Sequence, residues 1–189
     1  MAGSSPYGVR VTALWACGRA RSIAPITMVL LLLGPFEVRD GSAPVRLGGR
    51  KLYKTMLVWE TDPSLRDNED TNAFADVWSA LPKVVFSRTL DRVQGNARLA
   101  GAPLAEEVAA ALDATDKDIS IGGAGLAAAA IELGLVDELR ILRHPIVVGG
   151  GTPLLPPVTE AVPLDLIETR TFGSRVIYER YGRGRGESD

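Results

Sequence analysis

Between Lys83 and Val148 the chain alternates short β-branched runs with alanine- and leucine-rich stretches, and this alternation restricts the fold more than any other feature. Lys83-Val84-Val85-Phe86-Ser87 reads as a buried strand. A helix opens near Pro103, where a missing N–H costs least. Leu104, Val108, Ala111 and Leu112 form its apolar stripe, and Glu106 and Glu107 in its first turn suit the helix dipole. Asp118–Ile121 is the next strand, followed by a helix over Leu126–Leu133 with Gly134 as its C′ residue. Leu139–Val148 reads as a long strand that Gly149-Gly150-Gly151 ends. Leu164–Thr171 and Arg175–Tyr181 flank Phe172-Gly173-Ser174, the spacing of an antiparallel hairpin. The expectation is an α/β fold: a mostly parallel central sheet, helices on both faces, and a C-terminal antiparallel hairpin. Ligands of such sheets collect outside the carboxyl ends of the strands.

The chain before Lys83 is less regular. Gly48-Gly49-Arg50 leads into a helix over Lys51–Val58, which Glu60-Thr61-Asp62-Pro63 breaks, because Pro disfavours helix at the residue before it. Phe74, Val77, Trp78 and Leu81 recur at helical spacing and predict a helix over Asn72–Leu81, ended by Pro82. Residues 1–45 show no sustained period, and the only strand candidate there is Thr27–Leu33. The tail 183–189 is polar and expected to be disordered.

Composition excludes several function classes. At 189 residues the chain is about one domain. Its net charge is −2 with acids and bases dispersed, unlike the basic face of a nucleic-acid binder. One cysteine, Cys17, and one histidine, His144, leave no intrachain disulfide and no multi-cysteine zinc site, so no metal is expected. The lack of disulfides fits a cytoplasmic location. The apolar run Met28–Leu33 falls far short of the ~20 residues of a spanning helix, so no membrane role is expected. Its flanks, Arg19 and Arg21 before it and Gly41-Ser42-Ala43 after it, leave a signal peptide as the alternative reading.

Three clusters at element ends can carry chemistry. In Ile119-Ser120-Ile121-Gly122-Gly123-Ala124-Gly125-Leu126 a strand turns into a helix with almost no side chain between them. Such a turn presents backbone N–H groups and a positive dipole end to an anion. The plainer reading is a tight turn, since Gly is the default wherever φ is positive. The spacing is neither G-x-G-x-x-G nor a P-loop. Ser87-Arg88-Thr89, just past a strand, offers a planar fork of donors and two hydroxyls; the alternative is a solvated loop. Gly48-Gly49-Arg50 poses the same choice at a helix start. Together the three make a phosphate-bearing cofactor more plausible than any one does. His144 reads as structural, Asp137-Glu138 as a solvated connection, and Tyr53, Trp59 and Trp78 as core or pocket wall. The absence of a Gly-x-Ser-x-Gly elbow disfavours Ser-His-Asp hydrolysis.

Gly49-Arg50-Lys51-Leu52-Tyr53-Lys54-Thr55-Met56 and Val58-Trp59-Glu60-Thr61-Asp62-Pro63 resemble stretches of bacterial dihydrofolate-reductase-like proteins, the family of the C-terminal reductase domain of bifunctional riboflavin-biosynthesis enzymes. Pro82–Leu90, Ile121–Leu126, Gly134–Leu139 and Pro145–Leu154 resemble further motifs of that family in the same order. The likeness covers residues 46–182. It implies a three-layer dihydrofolate-reductase-like fold, a homodimer, a small-molecule substrate of pteridine or pyrimidine type, and NADPH lying across the strand ends. By matching position, Gly49 and Arg50 would meet the cofactor phosphates. Ser87 and Arg88 would hold the adenosine 2′-phosphate side. Gly122 and Gly123, a pair often joined by a cis peptide in the family, would lie beside the nicotinamide and pyrophosphate, with Ala124, Gly125 and Leu126 continuing the contact. The resemblance assigns no catalytic residue, because Trp15-Ala16-Cys17 stands where family members carry a Ser-Leu-Asp-like end to the first strand. That departure leaves a catalytically silent or stress-associated binding protein with the same fold as the alternative.

Overall fold

The computed structural model describes residues 11–17, as backbone, together with 45–115, 118–147, 155, 158–173 and 175–184. The strands are β1 (Val11–Cys17), β2 (Val45–Gly49), β3 (Lys83–Phe86), β4 (Ala97–Leu99), β5 (Ile119–Gly122), β6 (Glu138–Arg143), β7 (Leu164–Thr171) and β8 (Ile177–Arg183). They form one sheet in the order β4-β3-β2-β5-β1-β6-β8-β7. The six strands from β4 to β6 are parallel, and β8 and β7 add an antiparallel hairpin at one edge.

The helices are α1 (Arg50–Met56), α2 (Val58–Thr61), α3 (Glu69–Ala80), α4 (Leu104–Ala114) and α5 (Ala124–Glu132), with a 3-10 turn at Pro63–Leu65. Local chemistry explains their ends. Asn68 caps α3 by accepting the Thr71 N–H, and the Thr71 hydroxyl oxygen accepts the Asn68 N–H in return, a reciprocal capping box. After α5 the chain takes a left-handed turn at Gly134 (φ 69°), where the Gly134 and Leu135 N–H groups reach back to Ile131 and Ala130 carbonyls. Asp62 caps the 3-10 turn through the Ser64 N–H, and Pro63 sits at its first position.

Two cores lie on opposite faces of the sheet. Leu47, Val84, Ile119, Ile121 and Leu139 pack with α4 and α5 through Leu104, Val108, Ala111, Ala127 and Ala130. On the other face Met56, Trp59, Leu65, Phe74, Trp78 and Leu81 form the second core, with Trp59 edge-on to Phe74 at 4.8 Å. The parallel sheet with helices on both faces, the hairpin and the C′ glycine match the expectation.

Several details differ. Val11–Cys17, in a stretch without evident period, is a central strand between β5 and β6, paired with β5 over Val11–Leu14 and with β6 over Thr12–Cys17. The strand candidate Thr27–Leu33 lies outside the described residues. β4 is only three residues long, too short for any period to mark it. The helix expected over Lys51–Val58 is two short helices meeting at Leu57. β6 ends at Arg143, so His144 lies just past the strand, its carbonyl accepting the Ile146 N–H.

Candidate functional site

The three clusters converge because their strands are neighbours. Gly49 at the end of β2 is in register with Phe86 at the end of β3, and Gly48 with Gly122 at the end of β5. The segments that follow, Arg50, Ser87-Arg88 and Gly123–Leu126, therefore leave the sheet side by side along one rim.

Gly123 is the N-cap of α5 and has φ 94°, a conformation in which any side chain is strained. A Cβ built on Gly123 would stand 3.7 Å from the Gly49 nitrogen and 3.8 Å from the Leu52 Cβ, so the two loops nearly touch. Gly122 answers a different need, since a Cβ there would meet Leu52 Cδ2 at 2.6 Å and an Arg46 nitrogen at 3.0 Å. The peptide joining Gly122 to Gly123 is trans, because the described chain contains no cis bond. The cis geometry implied by the resemblance is absent, and the positive φ at Gly123 makes the turn instead. No side chain caps α5, so the donors of its first turn face the rim. Gly49 and Gly125 have open space where a side chain would stand. Arg50, at the start of α1, and Arg88, in the loop after β3, are both exposed. The Ser87 hydroxyl oxygen accepts the Thr89 and Leu90 N–H groups at 3.1 Å, which folds its loop back over the strand end.

Behind this rim lies a buried ionic group that the sequence pattern does not reveal. Arg46 on β2 and Lys83 on β3 are in register and stand 5.2 and 5.1 Å from the Trp78 ring. Lys83 Nζ is 3.1 Å from a Glu60 carboxylate oxygen and donates to the Leu81 carbonyl at 3.0 Å. Burial lowers the Arg46 pKa to about 10. Burial also lowers that of Lys83, with Glu60 partly offsetting it. Tyr53, Trp59 and Trp78 are core residues rather than pocket wall, although the Tyr53 hydroxyl accepts the Gln94 N–H at 2.8 Å and anchors the β3–β4 connection.

Two carboxylates play structural roles. Glu107 accepts both Arg98 guanidinium nitrogens and the Gly101 and Ala102 N–H groups, which fixes the turn into α4. The Arg98 hydrogen bond holds its carboxyl below the usual range against the opposing effect of burial. Glu138 is not part of a solvated connection: it is 2% exposed and bridges Arg140 at 2.6 Å and Arg180 at 2.7 Å. Burial alone would push its carboxyl up, but the two arginines outweigh this and hold it low. Asp137 is exposed, as expected. Among the described residues no three His, Cys, Asp or Glu side chains group to hold a metal, and no helix is long and apolar enough to cross a membrane.

This sheet and its antiparallel terminal hairpin give the chain a dihydrofolate-reductase-like fold. Solved structures with the same fold include a putative riboflavin biosynthesis protein from Shewanella sp. PV-4 (20% identity, TM-score 0.67), which covers 94% of this chain and 100% of its own. A dihydrofolate reductase from Enterococcus faecalis, complexed with NADP(H) and RAB-propyl, aligns at 15% identity and TM-score 0.56 over 95% of this chain and 98% of its own. A pyrimidine reductase-like protein from Corynebacterium diphtheriae aligns at 13% identity and TM-score 0.54, over 94% and 92%. More specifically, the RibD C-terminal domain profile matches residues 44–178, and the chain belongs to that family. The uncharacterized protein YyaP of Bacillus subtilis (strain 168) is 39% identical over 114 residues, 58% of this chain. The match spans 61% of that relative's length.

Proposed function

We propose that this chain is an NADPH-dependent reductase acting on a pteridine- or pyrimidine-like small molecule. The observation that carries the reading is the meeting of Gly49-Arg50, Ser87-Arg88 and Gly122–Leu126 on three adjacent strand ends. The residues fit a dinucleotide. The uncapped first turn of α5 and the bare backbone of Gly123, Ala124 and Gly125 suit a pyrophosphate that must approach closely. Arg50 and Arg88 flank that position with two guanidinium groups suited to phosphate. Ser87 and Arg88 are the residues we assign to the adenosine 2′-phosphate, and Leu126 to the wall beside Gly123. When bound, the nicotinamide supplies the hydride. The contribution of the chain is to orient donor and acceptor and to exclude water at the rim. Residues 46–182 constitute the reductase domain in this reading, and the protein works as a cytoplasmic homodimer.

One specific observation favours a silent protein with the same fold. β1 ends in Trp15-Ala16-Cys17, with no carboxylate where the resembling family carries one. NADPH oxidation measured against a panel of pteridines and pyrimidines separates the readings. Turnover by the natural chain supports the reductase. Turnover only after Ser-Leu-Asp replaces Trp15-Ala16-Cys17 supports the silent binder.

A further inference from the structure

The loop that carries Arg88 is held by side chains that lie behind the rim. Residues 87–96 join β3 to β4, and Arg88 stands exposed near the start of that loop. Loops place side chains less sharply than helices or strands do, unless other groups support them. The Ser87 hydroxyl oxygen, accepting the Thr89 and Leu90 N–H groups, supplies only local support.

The longer-range ties come from α1 and α2. The Tyr53 hydroxyl accepts the Gln94 N–H at 2.8 Å from 41 residues away in sequence. Tyr53 is buried and lies about one turn after Arg50 on α1. Beside Gln94 the chain turns at Gly95 (φ 67°), where a Cβ would overlap Glu60 Oε2. Glu60 is held in turn, because Lys83 Nζ stands 3.1 Å from its Oε1. Asn96 closes the loop: its carbonyl accepts the Lys83 N–H at 2.9 Å, and its side-chain amide donates to the Ala80 carbonyl at 2.7 Å. The helix that begins with Arg50 therefore also fixes the far side of the loop that bears Arg88. Two phosphate groups of one ligand are joined at a limited reach, and a guanidinium fork rewards close geometry.

We infer that Tyr53 is a positioning residue: by holding Gln94 it sets Arg88 relative to Arg50, and so sets the preference of the rim for NADPH over NADH. The inference rests on the cofactor reading of the rim. Tyr53 acts through Arg88 and touches no part of the ligand.

Titrations of the full chain with NADPH and with NADH, followed by nicotinamide fluorescence, test it. Tyr53→Phe keeps the buried ring and removes only the acceptor. A net hydrogen bond is worth about two- to tenfold in an equilibrium. Tyr53→Phe should therefore weaken NADPH about fivefold and leave NADH nearly unchanged. In an Arg88→Ala background the same substitution should cost NADPH nothing further, because its effect passes through Arg88. Gly95→Ala, which disturbs the second tie at Glu60, should shift the NADPH-to-NADH ratio in the same direction. A tyrosine that served stability alone would lower the unfolding midpoint and leave that ratio untouched. An unchanged ratio in Tyr53→Phe, equal losses for both cofactors, or a loss that persists in Arg88→Ala would each overturn the inference, while saturable NADPH binding by the natural chain keeps the cofactor site. A natural chain that fails to bind NADPH, or binds it no better than NADH, would overturn the assignment of the rim or of Arg88, and this inference with it.

Discussion

The rim of the parallel half and the outer antiparallel half use opposite means. At the ends of β2 and β5, side chains are stripped back to Gly49, Gly122, Gly123 and Gly125, and in the proposed reading recognition falls to backbone N–H groups flanked by two arginines. In β6, β8 and β7 the strands pack mainly on one another, and charged side chains tie them together: Glu138 joins Arg140 and Arg180, Arg143 pairs with Glu179, and Arg170 pairs with Glu168. Bare backbone suits a ligand that must come close. Ion pairs suit strands held from within the sheet.

The comparison breaks first at the core beneath the rim. Trp59 is 1% exposed and packs on Phe74, so Trp59→Ala should cost about 4 kcal/mol by denaturant unfolding, the usual price of an emptied aromatic site. In the outer half, Glu138→Gln keeps the volume but leaves Arg140 and Arg180 without their carboxylate. Those arginines are about a quarter exposed (27% and 24%), so the expected loss is smaller than for a fully buried pair, about 2 kcal/mol. At the rim, Gly123→Ala meets positive φ and should cost about 1–2 kcal/mol, while weakening NADPH binding by a larger factor than Glu138→Gln does. Equal effects of these two variants on NADPH binding would erase the functional distinction between the halves.

Acid sharpens it further. Glu107 and Glu138 both have lowered pKa values in the folded chain. Their contribution is therefore complete above the unfolded glutamate value of about 4.3 and is lost as pH falls through the lower folded values. Stability should decline below about pH 4, and Glu138→Gln should flatten that decline. A variant whose acid profile matches the natural chain would show that the Arg140–Glu138–Arg180 bridge contributes nothing.

The alternation from Lys83 onward was legible because each element there has its own local signal: β-branched runs for β3 and β5, the stripe Leu104, Val108 and Ala111 for α4, and Gly134 for the end of α5. β1 was not legible in the local pattern. Only the family resemblance, which sets Trp15-Ala16-Cys17 at the end of a first strand, points to it, because its place depends on pairing with β5 and β6 more than a hundred residues later and no local period marks it. Glu138 was misread for a similar reason: one partner, Arg180, is 42 residues away, so a short acidic pair looked solvated. Arg46 is a single arginine within a strand, and nothing in the sequence around it signals that Trp78 and Lys83 stand beside it. The glycines of the rim were visible individually, but their adjacency comes from strand order, which no single motif encodes.

The most direct measurement is a titration of the purified full chain with NADPH and with NADH, followed by nicotinamide fluorescence, for the natural protein and for Arg88→Ala. The account predicts saturable NADPH binding, with Arg88→Ala weakening NADPH about tenfold, or ~1.4 kcal/mol, while NADH binding stays nearly unchanged. Absence of saturation at millimolar NADPH would contradict the cofactor site. Equal losses for both cofactors would contradict the assignment of Arg88 to the 2′-phosphate.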